Sequence, residues 1–236
     1  MREKIREREE KCFDFLKAIP ASRKYVLVGG YAVSSFRFPR LSVDLDIVIH
    51  EKELQLFRDL LKNQGFVLTA EKTDFDKIYG GRFEKYKKDE ELPVSVDLLI
   101  NSVQARQTNY AYSFGYVSRN SEIREIRGWH MGVKVKARVA SKEMLIALKV
   151  NSMRSADKRD IIMLCYEKPD VSKIIKHLAK CPRGIILKHV KELKETLADQ
   201  KYFDAVKGVF TISDTVLKRA KTNCIGVLEG IEKELR

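Results

Sequence analysis

The sequence predicts an α+β protein: a small mixed β-sheet with flanking helices over residues 1–140, then a helical domain over 141–236. Up to residue 140, short apolar runs with two-residue alternation are interleaved with helical periods and turn residues. From Ser141 onward the period is helical, punctuated by Pro169, Pro182 and glycines. A chain of 236 residues with 44% hydrophobic content holds one large domain or two small ones.

The elements follow in order. Residues 1–19 form a helix with Ile5, Cys12, Phe13, Leu16 and Ile19 on one face, stopped by Pro20. Residues 25–28 are a short strand, Gly29-Gly30 a tight turn, and 31–38 a short helix broken by Pro39. Residues 43–49 are the second strand. An amphipathic helix over 51–63 carries Leu54, Phe57, Leu60 and Leu61 on one side, with Gly65 past its end. Strands are expected at 66–71, 82–86, 94–100 and 131–139, and loops with irregular strands over 101–130. Helices are expected at 141–153, 157–167, 171–180, 184–198, 201–209 and 213–235, the first opened by Ser141.

Net charge is +13, which argues for a polyanionic partner, nucleic acid among them. Lysines and arginines concentrate between 170 and 221, at spacings that suit either a solvated helical face or a phosphate-binding stripe. Cys12, Cys165, Cys181 and Cys224 lie far apart, so neither a zinc site nor a disulfide framework is expected. His50, His130, His177 and His189 have no ligand spacing. The charged N-terminus lacks the apolar core of a signal peptide, and no window is apolar for long enough to cross a bilayer. A soluble, cytoplasmic protein with no membrane partner is the expectation.

The chemistry centres on Asp44 and Asp46. On a strand, residues i and i+2 project to the same face, and two adjacent carboxylates repel unless a cation lies between them. Asp97 sits in another apolar strand, VSVDLLI, and completes a cluster if that strand pairs beside the first. Three carboxylates suit magnesium, a hard ion that takes oxygen ligands and leaves positions for substrate phosphates. In such a site one ion activates a hydroxyl and another neutralises a triphosphate. Gly29 and Gly30 leave backbone amides bare for a phosphate. Ser34 offers a hydroxyl contact or serves helix packing.

These residues resemble the nucleotidyltransferase superfamily of DNA polymerase β. They are most similar to the AbiE-type abortive-infection nucleotidyltransferase toxins. The likeness rests on the Gly29-Gly30 pair, the run Arg40-Leu41-Ser42-Val43-Asp44-Leu45-Asp46, and the segment SKEMLIALKVNSMRSADKRDIIML with Lys149, Arg154, Arg159 and Asp160. It spans roughly residues 25–165. Glycine stands at position 30 where the polymerase branch has serine, and Met163 where the toxin branch often has aspartate.

The resemblance implies a magnesium-dependent transfer of a nucleoside monophosphate from an NTP to an acceptor hydroxyl, in a cleft between the two parts. Asp44, Asp46 and Asp97 are the implied metal ligands, and Lys149 and Asp160 join them as catalytic residues. Gly29, Gly30, Ser34, Arg40 and Ser42 are the implied substrate contacts. From the residues alone, Lys149 equally fits a lysine at the edge of an apolar helix face. Asp160 equally fits an ion-pair partner of Arg154 or Lys158. Arg40 fits a structural pair with a carboxylate, and Ser42 a strand position. The implied acceptor is the 3′ end of tRNA or another RNA, with an antitoxin partner by analogy. The same chemistry serves a protein or small-molecule acceptor. A non-catalytic RNA-binding or regulatory protein on the same fold is the alternative.

Overall fold

A computed structural model describes residues 2–129 and 133–236. The elements, in chain order, are α1 (Arg2–Ala18), β1 (Tyr25–Val28), α2 (Gly29–Val33), β2 (Asp44–Ile49), α3 (Leu54–Asn63), β3 (Val67–Asp76), β4 (Gly81–Lys88), β5 (Val94–Ile100), β6 (Ser102–Ala105), β7 (Tyr110–Ser113), α4 (Phe114–Arg119), β8 (Ser121–Arg127), β9 (Lys134–Ala140), α5 (Lys142–Ser152), α6 (Ser155–Leu164), α7 (Val171–Leu178), α8 (Arg183–Thr196), α9 (Gln200–Phe210) and α10 (Asp214–Leu235). The architecture is the α+β class expected from the sequence. The chain divides into two compact units, one of Met1–Gln104 with Ala111–Ala140, the other of Ala105–Tyr110 with Ser141–Arg236.

The first unit is built on a seven-stranded sheet in the order β3-β4-β5-β2-β1-β9-β8. β2 runs antiparallel to β1 and parallel to β5, and β9 runs parallel to β1. A mixed sheet of this order needs long crossovers, because parallel neighbours cannot be joined by a hairpin. The central strands are therefore the most buried: Val26, Leu27, Leu45, Ile47, Val48 and Ile49 are inaccessible to solvent, as are Val96, Leu98 and Ile100. α1 contributes Cys12, Phe13, Phe15 and Leu16 to this core; Phe13 meets Tyr31 edge-on, and Phe15 meets Phe57 and Phe66.

Three local departures from the sequence reading have physical causes. The helix expected over 31–38 is the five-residue α2. It ends where Ser34 and Ser35 turn their hydroxyls back onto the carbonyls of Gly30 and Ala32, the competition with helix continuation typical of serine. β2 begins at Asp44, leaving Val43 half exposed ahead of the strand. Residues 101–130, read as irregular, hold the β6–β7 pair, α4 and β8. Of the strand expected over 131–139, Met131 and Gly132 lie outside the described residues, as does His130.

The second unit is helical from Ser141, whose hydroxyl caps α5 by accepting from Met144 N–H. α10, the longest helix, buries Leu217, Ala220, Cys224, Val227, Leu228 and Ile231 at helical spacing. All four cysteines are free and buried, and burial pushes the Cys12 thiol up to about 12. Among the described residues, no helix is long and apolar enough to cross a membrane.

Candidate active site

The site grows out of the register of three strands. Asp46 pairs with Val28 of β1 on one side and with Asp97 of β5 on the other. Asp44 and Asp46 share a face of β2 whose next member, Val48, is buried. The carboxylates thus occupy the start of the strand, where that face meets solvent. Each of Asp44, Asp46 and Asp97 offers one carboxylate oxygen, and these oxygens all lie within 4.8 Å of one another. Three negative groups at that separation need an opposing charge.

Part of that charge comes from Lys85, a residue the sequence reading missed. It stands opposite Asp97 across the β4–β5 pair, with Nζ 3.0 Å from Oδ1 and 3.3 Å from Oδ2. The hydrogen bond goes to Oδ2; Oδ1, although near the ammonium, is buried with no hydrogen-bond donor. Burial raises the Asp97 pKa, Lys85 works against this, and Asp44 adds to the rise. A buried carboxylate oxygen with no aligned hydrogen-bond donor, within reach of two more carboxylates, fits a divalent cation. An all-oxygen donor set favours magnesium-like ions over zinc or copper.

A pH dependence follows. If Asp97 is a metal ligand, protons compete with the cation for it, so Mn²⁺ affinity should climb with pH through a range above that of an ordinary aspartate. In the metal-free protein, the stability from protonated Asp97 is full below the unfolded pKa and is lost as pH rises through the raised folded value. Lys85→Met removes a lowering influence and should move the midpoint of Mn²⁺ binding to higher pH. Mn²⁺ titrations followed by electron paramagnetic resonance at several pH values would show this; an unmoved midpoint would refute it.

The glycine pair has a steric purpose. Gly29 has φ +68°, and a Cβ there would lie 1.9 Å from Asp46 Oδ2. A Cβ on Gly30 would lie 2.2 Å from Ser42 Oγ and 3.0 Å from an Arg40 guanidinium nitrogen. The missing side chains let the β1–α2 turn lie against the carboxylate and against the loop that leads into β2. That loop is stitched down by Ser34, which is buried. Its hydroxyl lies within hydrogen-bond distance of the Gly30 and Arg40 carbonyls and accepts from Arg40 N–H. Arg40 also donates to the Leu41 carbonyl, and Tyr31 donates its hydroxyl to the Ser42 carbonyl. Ser42 is itself buried. Gly29, Gly30, Ser34, Arg40 and Ser42 are thus brought together around the start of β2, with Ser34 engaged in the backbone of its own loop.

Lys149 and Asp160 belong to the helical unit and meet each other there. Lys149, 5% exposed, places Nζ 2.6 Å from Asp160 and 3.1 Å from Asp157. Arg154 closes the cluster, with Nε 2.8 Å from Asp157. Asp160 pairs with Lys149, and Lys158 pairs with Glu192 at 2.6 Å. Asp157 also accepts from Arg154 N–H at the start of α6, an N-terminal cap. Burial opposes its ionisation, but Lys149 and Arg154 outweigh that and hold its pKa at about 2.

Removing one member of a buried ion cluster strands the others. Lys149→Met should therefore cost about 3–5 kcal/mol of stability, read by urea denaturation. The Asp157 contribution is present above the unfolded aspartate pKa and should be lost as pH falls from there towards 2. A Lys149→Met variant as stable as the parent would contradict this account of the cluster.

No family model matches the sequence, and no curated protein matches it. The structure is similar to a candidate nucleotidyltransferase from H. pylori, with TM-score 0.53 and 21% identity over 99% of this chain and 96% of that chain. It is also similar to JHP933 from Helicobacter pylori, with TM-score 0.51 and 20% identity over 99% of this chain and 94% of that one. A weaker likeness, TM-score 0.30 at 9% identity, is to a CdnE cyclic dinucleotide synthase from Elizabethkingia meningoseptica; at that score it defines no shared fold. The chain therefore has the nucleotidyltransferase fold.

Proposed function

We propose that the protein is a divalent-metal-dependent nucleotidyltransferase, and that Asp44, Asp46 and Asp97 are its metal ligands. The single observation that carries this reading is the convergence of the three carboxylates from two parallel strands, with Asp97 Oδ1 buried and lacking a hydrogen-bond donor. Two magnesium ions held there would supply charge neutralisation for a triphosphate and a lowered pKa for an acceptor hydroxyl.

The chain's own groups divide the remaining work. Asp44 and Asp46 fix the ligand geometry from one strand face. Asp97 stands on the acceptor side and takes the hydroxyl proton. The acceptor oxygen forms a bond to the α-phosphorus of the NTP, and the bond from that phosphorus to the bridging oxygen breaks. Pyrophosphate leaves with the electron pair. Gly29 and Gly30 hold the turn close against Asp46 so that a triphosphate approaches bare backbone. Arg40 supplies a guanidinium beside that turn. Lys149 as a triphosphate contact and Asp160 as its companion follow from the resemblance, and their mutual ion pair supports a structural duty as well.

The acceptor in this reading is an RNA 3′ end, tRNA in its finest form, with the toxin-like role and antitoxin partner attached to the Arg40–Asp46 run. The net charge of +13 supports a polyanionic acceptor. The test is incubation with each α-labelled NTP, magnesium and total RNA, or with protein in place of RNA. Label in RNA is expected, abolished by chelation. Label in protein alone would reject the RNA acceptor, and no metal-dependent label in any fraction would reject the transferase.

A further inference from the structure

The helical unit presents a surface that the proposed chemistry does not use. Between residues 171 and 191 the chain carries Lys173, Lys176, Lys180, Arg183, Lys188 and Lys191 and no aspartate or glutamate. α7 buries Ile174, His177 and Leu178, while its Lys173 and Lys176 are exposed, as is Lys180 just past its end. α8 buries Ile186, His189, Val190 and Leu193, leaving Lys188 and Lys191 exposed, with Arg183 at its start. Both helices pack against α5 and α10. Their apolar sides are satisfied there, and their cationic sides face away.

Some cations of this unit are closely paired. Lys149, Lys158, Lys194 and Lys207 each meet a carboxylate at 3.1 Å or closer. Among the described residues, Lys191 lies 4.0 Å from Glu195, Arg183 donates to the Leu235 carbonyl, and Lys173, Lys176, Lys180 and Lys188 have no carboxylate within 4.0 Å. Like charges about 4.5 and 6 Å apart along a helix repel one another mildly, a cost that a solvated face normally offsets with interspersed acids. Among the described residues, the large apolar side chains that are exposed are Val43, Val67, Leu68, Ile78, Tyr79 and Ile123, none on this face. A membrane-surface helix needs an apolar side to insert, and a protein interface needs an apolar core. A predominantly cationic face, with Glu192 and Glu195 confined to its far end on α8, matches a polymer of repeated phosphates.

We infer that the α7–α8 face docks the phosphate backbone of a polynucleotide. Contacts to phosphate carry no base information, so binding is expected to be sequence-tolerant and strongly salt-dependent. The inference goes beyond nucleotidyl transfer and does not rest on it.

The test is fluorescence anisotropy with a labelled single-stranded RNA of about 20 nucleotides, in EDTA without NTP, between about 50 and 200 mM KCl. In these conditions no transfer occurs, so failure here and failure of the transferase reading are separate results. Each lost phosphate contact lowers the log–log salt slope by about 0.7 for a single strand. The triple variant Lys173→Glu, Lys176→Glu, Lys180→Glu should lose about two units of slope and at least about tenfold in affinity. The milder Lys188→Gln, Lys191→Gln pair should lose about 1.4 units while preserving the fold. A control with equal charge change, Lys62→Glu, Lys72→Glu, Lys77→Glu, alters exposed lysines of the other unit and should leave the slope nearly unchanged. An equal loss in the control, an unchanged slope in the α7–α8 variants, or no RNA binding by the parent would each overturn the inference. So would retention on anionic phospholipid vesicles in place of RNA.

Discussion

Asp46→Asn is expected to lower NTP-dependent transfer by roughly 10³-fold, about 4 kcal/mol of transition-state stabilisation. The change is isosteric and removes only charge and metal affinity. Asp46 stands at the centre of the cluster, in register with Asp97 and beside Asp44 on one strand face. A neutral amide there would be a poorer ligand for a hard divalent cation. The metal-free protein should respond in the opposite sense. Carboxylate oxygens within 4.8 Å of one another repel, and Lys85 pairs with Asp97. Removing one charge should raise apo stability by about 1 kcal/mol at neutral pH, while the stabilisation conferred by Mn²⁺ disappears. Activity falling as stability rises is the signature of a site built for a ligand rather than for the fold. Activity assays beside thermal unfolding, with and without Mn²⁺, would read both. An active Asp46→Asn enzyme, or one destabilised in the apo state, would contradict this account.

Gly29→Ala should be the most damaging single-methyl change in the first unit. Two penalties act together. The left-handed backbone costs an alanine roughly 1–2 kcal/mol, and its Cβ would lie 1.9 Å from Asp46 Oδ2, so either the turn or the carboxylate must move. We expect a loss of about 3 kcal/mol or more, with weakened Mn²⁺ binding because the displaced group is a proposed ligand. Gly80→Ala separates the two effects. Gly80 also has positive φ, at +62°, but a Cβ there meets nothing within 4 Å. It should show the backbone cost alone, with Mn²⁺ binding intact. Equal effects from the two substitutions, by denaturation and by metal titration, would remove the steric argument.

The parts of the site that share one strand were legible in the sequence. Asp44 and Asp46 fall on one face by the period of β2, and Asp97 announces itself as a lone acid in an apolar strand. Their meeting depends on β2 pairing parallel to β5 across α3, β3 and β4, which local pattern does not specify. Lys85 was missed for the same reason. Nothing within β4 marks it, and its importance arises only from standing opposite Asp97. The glycine pair was read as bare amides for phosphate; the close approach of Asp46 and Ser42 to it is a tertiary fact. The helical half was the easiest to read, because buried positions repeat every three or four residues along α10 and α7. The weakest stretch, 101–130, consists of elements four to seven residues long, too short for either period to establish itself.

The central claim is that Asp44, Asp46 and Asp97 together hold divalent cations for a nucleoside triphosphate. Crystals grown with Mn²⁺ and a non-hydrolysable NTP analogue, measured for anomalous scattering, test it most directly. The account predicts manganese peaks among these three carboxylates, with the triphosphate beside the Gly29–Gly30 turn. Nucleotide bound with no manganese at these residues, or manganese bound only elsewhere, would contradict it.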